Sequence, residues 1–185
     1  MGCHGGFSLD EATRLSWYNP DAILVDLQEG MTFADIGCGD GFFTSLAAKK
    51  VGENGKVYAV DVDAQAIEKL QAKAAEQKLT NISTKVSKAE DTVFCHHCID
   101  MVFYSMDLHD FGDASKVLDN AWHMIKPEGR LIDLDWKKQQ MPMGPPLQIR
   151  FSEEQACGLI RAAGFTVIDL RDAGPYHYVV TAKPT

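Results

Sequence analysis

A glycine-rich segment follows the first apolar run of the chain and has the composition of a ligand-binding loop. Residues 35–41 read Asp-Ile-Gly-Cys-Gly-Asp-Gly, and a helix-period stretch comes directly after them. Glycines at a strand-to-helix turn let the backbone approach a ligand at the positive end of the helix. Asp61 stands twenty residues beyond Gly41, where a carboxylate can accept hydrogen bonds from both hydroxyls of a ribose. The combination predicts a site for a nucleoside cofactor.

Acidic residues in and beside this loop narrow the choice of cofactor. The glycines are spaced G-x-G-x-G, with Asp40 inside the loop and Asp35 just before it. A carboxylate against a pyrophosphate is strongly unfavourable at low dielectric, whereas it stabilises a ligand that carries a sulfonium and an α-amino group. The charges therefore favour S-adenosylmethionine over NAD. A tight strand-to-helix turn without a ligand is the alternative.

Two histidines lie where they could take part in chemistry. His109 follows the fourth apolar run near Asp107 and Asp110, and a neighbouring carboxylate can orient an imidazole as a general base. The alternative is a surface histidine that caps the next helix. His177 begins the last apolar run, and alternation places it on the face opposite the tyrosines on either side of it. Only one of these two sets can then face a pocket.

Residues 95–98, Cys-His-His-Cys, are the one cluster with the composition of a metal site. A C-x-x-C pair with adjacent histidines could supply thiolates and imidazoles to zinc. The sequence has no second C-x-x-C, and adjacent histidines just before a strand do not converge easily on one tetrahedral ion. We therefore predict no metal and a solvent-exposed loop. Five cysteines without a secretory signal predict reduced thiols in a cytoplasm.

The order of apolar segments predicts the fold that positions these residues. Runs of strand length alternate with helix-period segments from residue 31 onward, which is typical of a parallel sheet between helices. Only about five residues separate the last two runs, too few for a crossover helix, so the last strand is predicted to be antiparallel. We predict an α/β, Rossmann-like, doubly wound and mostly parallel seven-stranded sheet in three α/β/α layers. Its strands lie at about 31–36, 56–60, 82–86, 99–105, 130–135, 165–170 and 176–182.

Three helices have recognisable ends. Asp63 is the predicted N-cap of the helix after the second strand. Residues 114–125 form another helix, followed by a turn before the fifth strand. Ser152 and Gln155 have the spacing of a capping box, and Gly164 is the expected residue just past the end of that helix.

Two segments without regular pattern are predicted to cover the reactive edge of this sheet. Reactive groups in such folds lie beyond the carboxyl ends of the parallel strands. Residues 1–20 form a predicted N-terminal cover, and residues 137–151, with Met141 and Met143, form a predicted lid loop. Both are extensions of one domain that spans residues 1–185.

The overall composition excludes several function classes. Eighteen Lys plus Arg against 26 Asp plus Glu give a formal charge of −8, which argues against nucleic acid as a partner. No stretch approaches the roughly 18 apolar residues that a membrane helix needs. The expected partner is a small molecule, the expected location is cytoplasmic, and the oligomeric state is left open.

These motifs together resemble the class I S-adenosylmethionine-dependent methyltransferases, and the resemblance covers nearly the whole chain. Residues 33–44 resemble the first motif of that family, residues 58–61 its ribose-binding strand, and residues 125–131 the turn before its fifth strand. The terminal hairpin also matches, because the seventh strand of the family runs antiparallel. A narrower resemblance, to the ubiquinone and menaquinone C-methyltransferases, rests on Trp17, Asn19-Pro20, Leu108-His109 and residues 174–178.

The resemblance implies roles for the matching residues. Asp35 and the glycine loop would hold the methionine end of the cofactor, and Asp61 its ribose. Lys88 replaces the acid that usually receives the adenine amino group, so either Glu90 takes over or Ala89 recognises the ring by its backbone. The implied cofactor-binding residues are Asp35, Gly37, Cys38, Gly39, Gly41, Asp61, Val62, Ala89, Glu90 and Ser105, and the implied catalytic residue is His109.

The implied activity is methyl transfer from S-adenosylmethionine to a small-molecule acceptor, with aromatic and quinone-like molecules as candidates. Methyl transfer is an in-line displacement at a carbon that the sulfonium activates. Alignment and water exclusion then carry most of the acceleration, and a general base is optional. The alternative is a non-catalytic S-adenosylmethionine-binding sensor or partner protein.

Overall fold

A seven-stranded sheet forms the centre of the computed structural model, which describes residues 10–185. The strand order is β3-β2-β1-β4-β5-β7-β6, and β7 runs antiparallel to both β5 and β6. The predicted mostly parallel sheet with an antiparallel last strand is confirmed. The strands are β1 Thr32–Ile36, β2 Lys56–Asp61, β3 Ile82–Val86, β4 Ile99–Ser105, β5 Ile125–Trp136, β6 Phe165–Ala173 and β7 His177–Pro184.

Six helices and one 3-10 turn connect and flank these strands in the described residues. They are α1 Glu11–Trp17, α2 Pro20–Ile23, α3 Phe42–Val51, α4 Ala64–Glu76, the 3-10 turn Ala89–Asp91, α5 Ala114–Met124 and α6 Glu153–Ala162. None of these helices is long and apolar enough to cross a membrane. These helices pack on both faces of the sheet.

The first twenty residues differ from the prediction of an irregular cover. Residues 1–9 lie outside the described part of the chain, but α1 and α2 occupy most of the rest. Asp10 caps α1, and its Oδ1 accepts a hydrogen bond from the backbone N–H of Thr13 at 2.9 Å. Only Trp17 of α1 is buried, so the helix has no apolar periodicity that could reveal it in the sequence.

The predicted helix ends are confirmed, and one predicted turn is wrong. Asp63 accepts from the backbone N–H of Gln65, and both hydrogen bonds of the Ser152–Gln155 capping box are present. The turn predicted between α5 and the fifth strand lies inside β5 instead. This strand already begins at Ile125. Its pairing with β4 shifts register between Ile125 and Arg130, so residues 126–129 form an irregularity within the strand.

Two large apolar cores lie on opposite faces of the sheet, and a small cluster of Cys38, Ala59, Ile67 and Leu70 packs α4 against β2. One packs α5 and α6 against β4, β5 and β7 and includes Tyr104 and Tyr178. The other packs α1, α2 and α3 on the opposite face and includes Phe103 and Trp136. The carboxyl ends of β1, β2, β4 and β5, together with the start of β7, meet at one edge between these cores. This edge carries the candidate functional residues.

Candidate functional site

The glycine loop between β1 and α3 is held against the end of β2. The backbone N–H groups of Gly37 and Cys38 both donate to the carbonyl of Val60, at 2.9 and 3.0 Å. Asp61 follows Val60, and its Oδ2 accepts from the N–H of Gly39 at 2.8 Å. The structure therefore brings together the loop and the carboxylate that the sequence predicted as neighbours.

The glycines of this loop serve different purposes. Gly39 has a φ of +52°, and a Cβ added there would meet nothing within 4 Å in the described residues. Gly41 has a φ of +80°, but a Cβ there would collide with the side chain of Leu70 on α4. Gly41 is therefore required by packing, whereas Gly39 borders open space that a ligand can fill.

Asp35 is buried beneath the loop with half of its hydrogen-bonding capacity unused. Its Oδ2 accepts from the hydroxyl of Thr44 at 2.5 Å, and its Oδ1 has no partner within residues 10–185. Burial, with a smaller contribution from the charge of Asp61, raises the pKa of Asp35 to about 7. An ionised carboxylate here is unfavourable unless a cationic group binds beside it.

The raised pKa of Asp35 predicts a pH-dependent gain in stability for Asp35→Asn. The pKa of Asp35 is 3.8 in its ordinary state and about 7 in the folded chain. Its contribution to folding stability is therefore fully present below pH 3.8 and is lost as the pH rises to about 7. Asparagine removes the buried charge but keeps an oxygen for Thr44. We expect the ligand-free variant to melt at a higher temperature than the wild type at pH 8, with a smaller difference at pH 5. A variant that is less stable than the wild type at pH 8 would contradict this.

Asp107 lies against the glycine loop, a position that the sequence did not indicate for it. Met106 follows β4 and has a left-handed φ of +66°. The side chain of Asp107, the next residue, lies close to Gly37, because a Cβ added to Gly37 would come within 2.7 Å of Asp107 Oδ2. Burial, and then the charges of Asp61, Asp135 and Asp35, raise the pKa of Asp107 well above its usual range. The glycine loop is thus surrounded by carboxylates.

His109 lies at the same edge, but its carboxylate partner differs from the prediction. Its Nδ1 lies 2.7 and 2.9 Å from the two carboxylate oxygens of Asp135 at the end of β5, and both side chains are buried. The predicted partners are wrong, because Asp107 turns towards the glycine loop and Asp110 is exposed. A carboxylate beside Nδ1 favours the tautomer with its proton on Nδ1, which leaves Nε2 as the hydrogen-bond acceptor of the ring.

The remaining predicted cofactor residues lie at or after the carboxyl ends of β2, β3 and β4. Val62, directly after β2, is 44% exposed, and the hydroxyl of Ser105 at the end of β4 has no partner in the part of the chain that the structure describes. In the 3-10 turn, Glu90 Oε1 accepts from the N–H of Asp113 at 3.2 Å. Asn120 holds the turn through the carbonyls of Ala89 and Glu90, at 3.1 and 2.8 Å.

Aromatic side chains enclose His177 next to this edge. The His177 ring centroid lies 4.2 Å from that of Trp136, 5.2 Å from Tyr18 and 5.6 Å from Trp17. The ring is fully buried, neither nitrogen has a partner among the described residues, and burial lowers the pKa of His177 to about 3. His177 is therefore a neutral imidazole with unused hydrogen-bonding capacity. We call His177 and the surrounding Trp17, Tyr18, Trp136 and Tyr176 the aromatic box.

The alternation predicted around His177 is only half correct. Tyr178 lies on the other face of the sheet, in the core formed with α5 and α6, as alternation requires. Tyr176 precedes β7, so the strand alternation does not extend to it. Its ring lies 6.0 Å from that of Trp17, on the same side as His177.

Residues 137–151, the predicted lid, form an ordered segment that we call the strap. The buried guanidinium of Arg150 donates to four of its carbonyls, those of Lys137, Gln139, Met143 and Pro145, at 2.8 to 3.2 Å. Met141 and Met143 pack against the core that contains Trp136. The sequence analysis missed Arg150, because the carbonyls it satisfies are set by the path of the loop rather than by residue type.

The expectation of reduced thiols fails for one pair, because the structure joins Cys95 and Cys98 in a disulfide. Cys38 and Cys157 are free and buried. Cys3 lies outside the described residues. Within residues 10–185, no three or more His, Cys, Asp or Glu side chains are grouped as metal ligands would be. The absence of a resident metal stays a prediction.

Known proteins with a similar sequence or fold include several methyltransferases. Residues 27–164 match a family described as a methyltransferase domain. A solved structure of a SAM-dependent methyltransferase from Aquifex aeolicus is 31% identical, with a TM-score of 0.90 over 96% of this chain and 95% of that chain.

Among curated relatives, nocamycin O-methyltransferase from Saccharothrix syringae is 30% identical over 125 residues, which is 65% of this chain and 45% of the relative. Demethylmenaquinone methyltransferase from Shouchella clausii is 27% identical over 128 residues, which is 69% of this chain and 54% of the relative. The chain spans about half the length of these curated relatives. Because the family match covers more than half of the chain, the chain belongs to the methyltransferase domain family, and its predicted resemblance to S-adenosylmethionine-dependent methyltransferases is confirmed.

Proposed function

We propose that the chain binds S-adenosylmethionine and transfers its methyl group to a small-molecule acceptor. The observation that carries this proposal is the ring of carboxylates, Asp35, Asp61 and Asp107, around a glycine loop with open space beside Gly39. A pyrophosphate would oppose ionisation of these carboxyl groups, whereas a ligand with a sulfonium and an α-amino group would stabilise their charged forms. Family membership supports the same cofactor.

The residues present fit this cofactor in three parts. Asp35 and the glycine loop would hold the methionine end. Asp61 would bind the ribose, because each of its oxygens accepts one backbone N–H and keeps a second lone pair. For the adenine, the contact between Glu90 and Asp113 favours backbone recognition at Ala89 over recognition by the Glu90 side chain. Val62 and Ser105 would complete the site.

We further propose that His109 is the general base of the reaction. The bound cofactor supplies a methyl group that the sulfonium activates. Asp135 holds the Nδ1 proton of His109, so that Nε2 can take the proton that the acceptor loses when it is methylated. Burial of both side chains excludes water from the pair and strengthens its hydrogen bond.

The aromatic box supports an acceptor with a flat aromatic or quinone-like ring. Trp17, Tyr18 and Trp136 pack around His177, so an acceptor that inserts between them would meet aromatic rings and an imidazole with unused hydrogen-bonding capacity. The names of the nocamycin and demethylmenaquinone methyltransferases favour small-molecule acceptors as well. We place this activity in a cytoplasmic chain that acts as one domain, without nucleic acid.

An acceptor screen with cofactor labelled in its methyl group tests the proposed activity. We expect label in one or more phenolic or quinol-type molecules and none in nucleic acid. A chain that binds the cofactor but labels no member of a broad aromatic panel would favour the non-catalytic alternative, a sensor or partner protein.

The strap is proposed to close over the acceptor, which predicts a selective effect of Met143→Asp. Met143 packs against the apolar core that contains Trp17, Tyr18 and Trp136 of the aromatic box. We expect methyl transfer to fall while calorimetric affinity for the cofactor stays nearly unchanged. Gln148→Asp, at an exposed position of the strap, is the matched control. Equal transfer rates in the two variants would show that the strap is only a structural element.

A further inference from the structure

The disulfide between Cys95 and Cys98 lies away from the proposed methyl-transfer site. The two cysteines precede Ile99, the first residue of β4, and therefore lie at the amino end of that strand. The glycine loop, His109 and the aromatic box lie at the carboxyl ends of the parallel strands. The pair has no place in the proposed reaction, so its chemistry requires a separate account.

Backbone hydrogen bonds hold this segment on α5 without help from the sulfur bond. The N–H of Cys98 donates to the carbonyl of Met124 at 2.9 Å, and the N–H of His97 to that of His123 at 3.0 Å. Nδ1 of His97 donates to the carbonyl of Ile125 at 2.9 Å. The disulfide closes a loop over a sequence separation of only 3, and so short a closure restricts the unfolded chain little. The bond is therefore poorly suited to act as a structural staple.

Cys95 and Cys98 are more exposed to solvent than Cys38 and Cys157. Cys95 and Cys98 are both partly exposed, and the two histidines between them are exposed. Cys38 and Cys157 are buried, and burial raises the pKa of both thiols, which makes them poor nucleophiles. A cationic imidazole near a thiol stabilises its thiolate, the form that undergoes exchange.

We propose that Cys95 and Cys98 form a reversible thiol–disulfide couple that exchanges electrons with thiols such as glutathione. In the reducing direction, a thiolate attacks one sulfur, the Cys95–Cys98 bond breaks, and the other cysteine leaves as a thiolate that takes up a proton. A second thiol then attacks the sulfur that the first thiol contributed to the mixed disulfide and displaces the protein cysteine as a thiolate, which also takes up a proton. The protein gains two electrons and two protons, and the two thiols become one disulfide. Disulfides in reducing compartments are usually transient in this way.

Alkylation of the native 185-residue chain in glutathione buffers tests this couple. The protein is equilibrated at increasing ratios of reduced to oxidised glutathione, treated with iodoacetamide and mapped by mass spectrometry, so that each cysteine is scored separately. We expect the peptide with residues 95–98 to change from disulfide to doubly alkylated as the ratio rises, and to change back when it falls. Cys38 and Cys157 should be alkylated only after unfolding.

Two variants and one elemental analysis make the test decisive. In Cys95→Ser, the remaining Cys98 should form a mixed disulfide with glutathione, whereas Cys157→Ser should leave the exchange unchanged. A pair that stays oxidised until denaturant is added, or stays reduced in excess oxidised glutathione, would overturn the proposal. One zinc per chain that is lost in Cys95→Ser would overturn it as well, because the sulfurs would then be metal ligands. These outcomes do not depend on whether the chain transfers methyl groups.

Discussion

Replacing His109 with alanine should lower the rate of methyl transfer by about a hundredfold to ten-thousandfold, the usual contribution of a general base. The affinity for the cofactor should stay nearly unchanged, because the imidazole pairs with Asp135 rather than with the glycine loop. Single-turnover transfer to an acceptor found in the screen measures the rate, and calorimetry measures the affinity. The expected loss is therefore in kcat rather than in cofactor binding.

Asp135 provides the matched test of this arrangement. Asp135→Asn keeps the shape of the side chain but no longer fixes the proton on Nδ1 of His109, so we expect transfer to fall and its pH profile to change. Asp110→Asn, at an exposed position of the same loop, should have no effect. If His109→Ala transfers methyl groups at the wild-type rate, the buried pair is structural and the proposed base is wrong.

Gly39→Val should abolish measurable cofactor binding, the second large effect that we expect. The Cβ of the new residue would enter the open space beside the loop, and a β-branched residue is strained at a φ of +52°. Thermal melting separates the two causes, because a folded variant that fails to bind has lost the ligand space rather than the fold.

Gly158→Val is the control for this substitution. Gly158 also has open space around its Cβ position, but it lies within α6 and has no positive φ. We expect its cofactor affinity to equal that of the wild type. Wild-type affinity in Gly39→Val would mean that the open space beside the loop is not the cofactor site.

Local sequence signals predicted the parts of this molecule that depend on neighbours in the chain. The glycine loop, the Asp63 cap and the Ser152 capping box are all set within a few residues. The partner of His109 depends instead on which strand lies beside β4. Asp133 and Asp135 are two residues apart in an otherwise apolar strand, so their side chains lie on the same face of the sheet. This spacing could have indicated two buried carboxylates on that face.

Other parts of the site depend on tertiary packing and leave little trace in the sequence. Arg150 organises the strap through backbone carbonyls, which every residue type provides. The first helix buries only Trp17, so it shows no period. Tyr176 joins the aromatic box because β7 begins one residue later than the pattern predicted. Tyr176 and Trp17 meet from distant parts of the chain, whereas Arg150 contacts carbonyls 5 to 13 residues away within the strap.

Calorimetric titration of the 185-residue chain with S-adenosylmethionine, its demethylated product and NADH tests the central claim most directly. We expect the first two ligands to bind and NADH not to bind. Asp61→Ala should weaken both by about tenfold to a hundredfold, the loss of a charged hydrogen bond of about 1.5 to 3 kcal/mol. Tight binding of NADH without binding of S-adenosylmethionine would contradict the cofactor assignment and, with it, the proposed reaction.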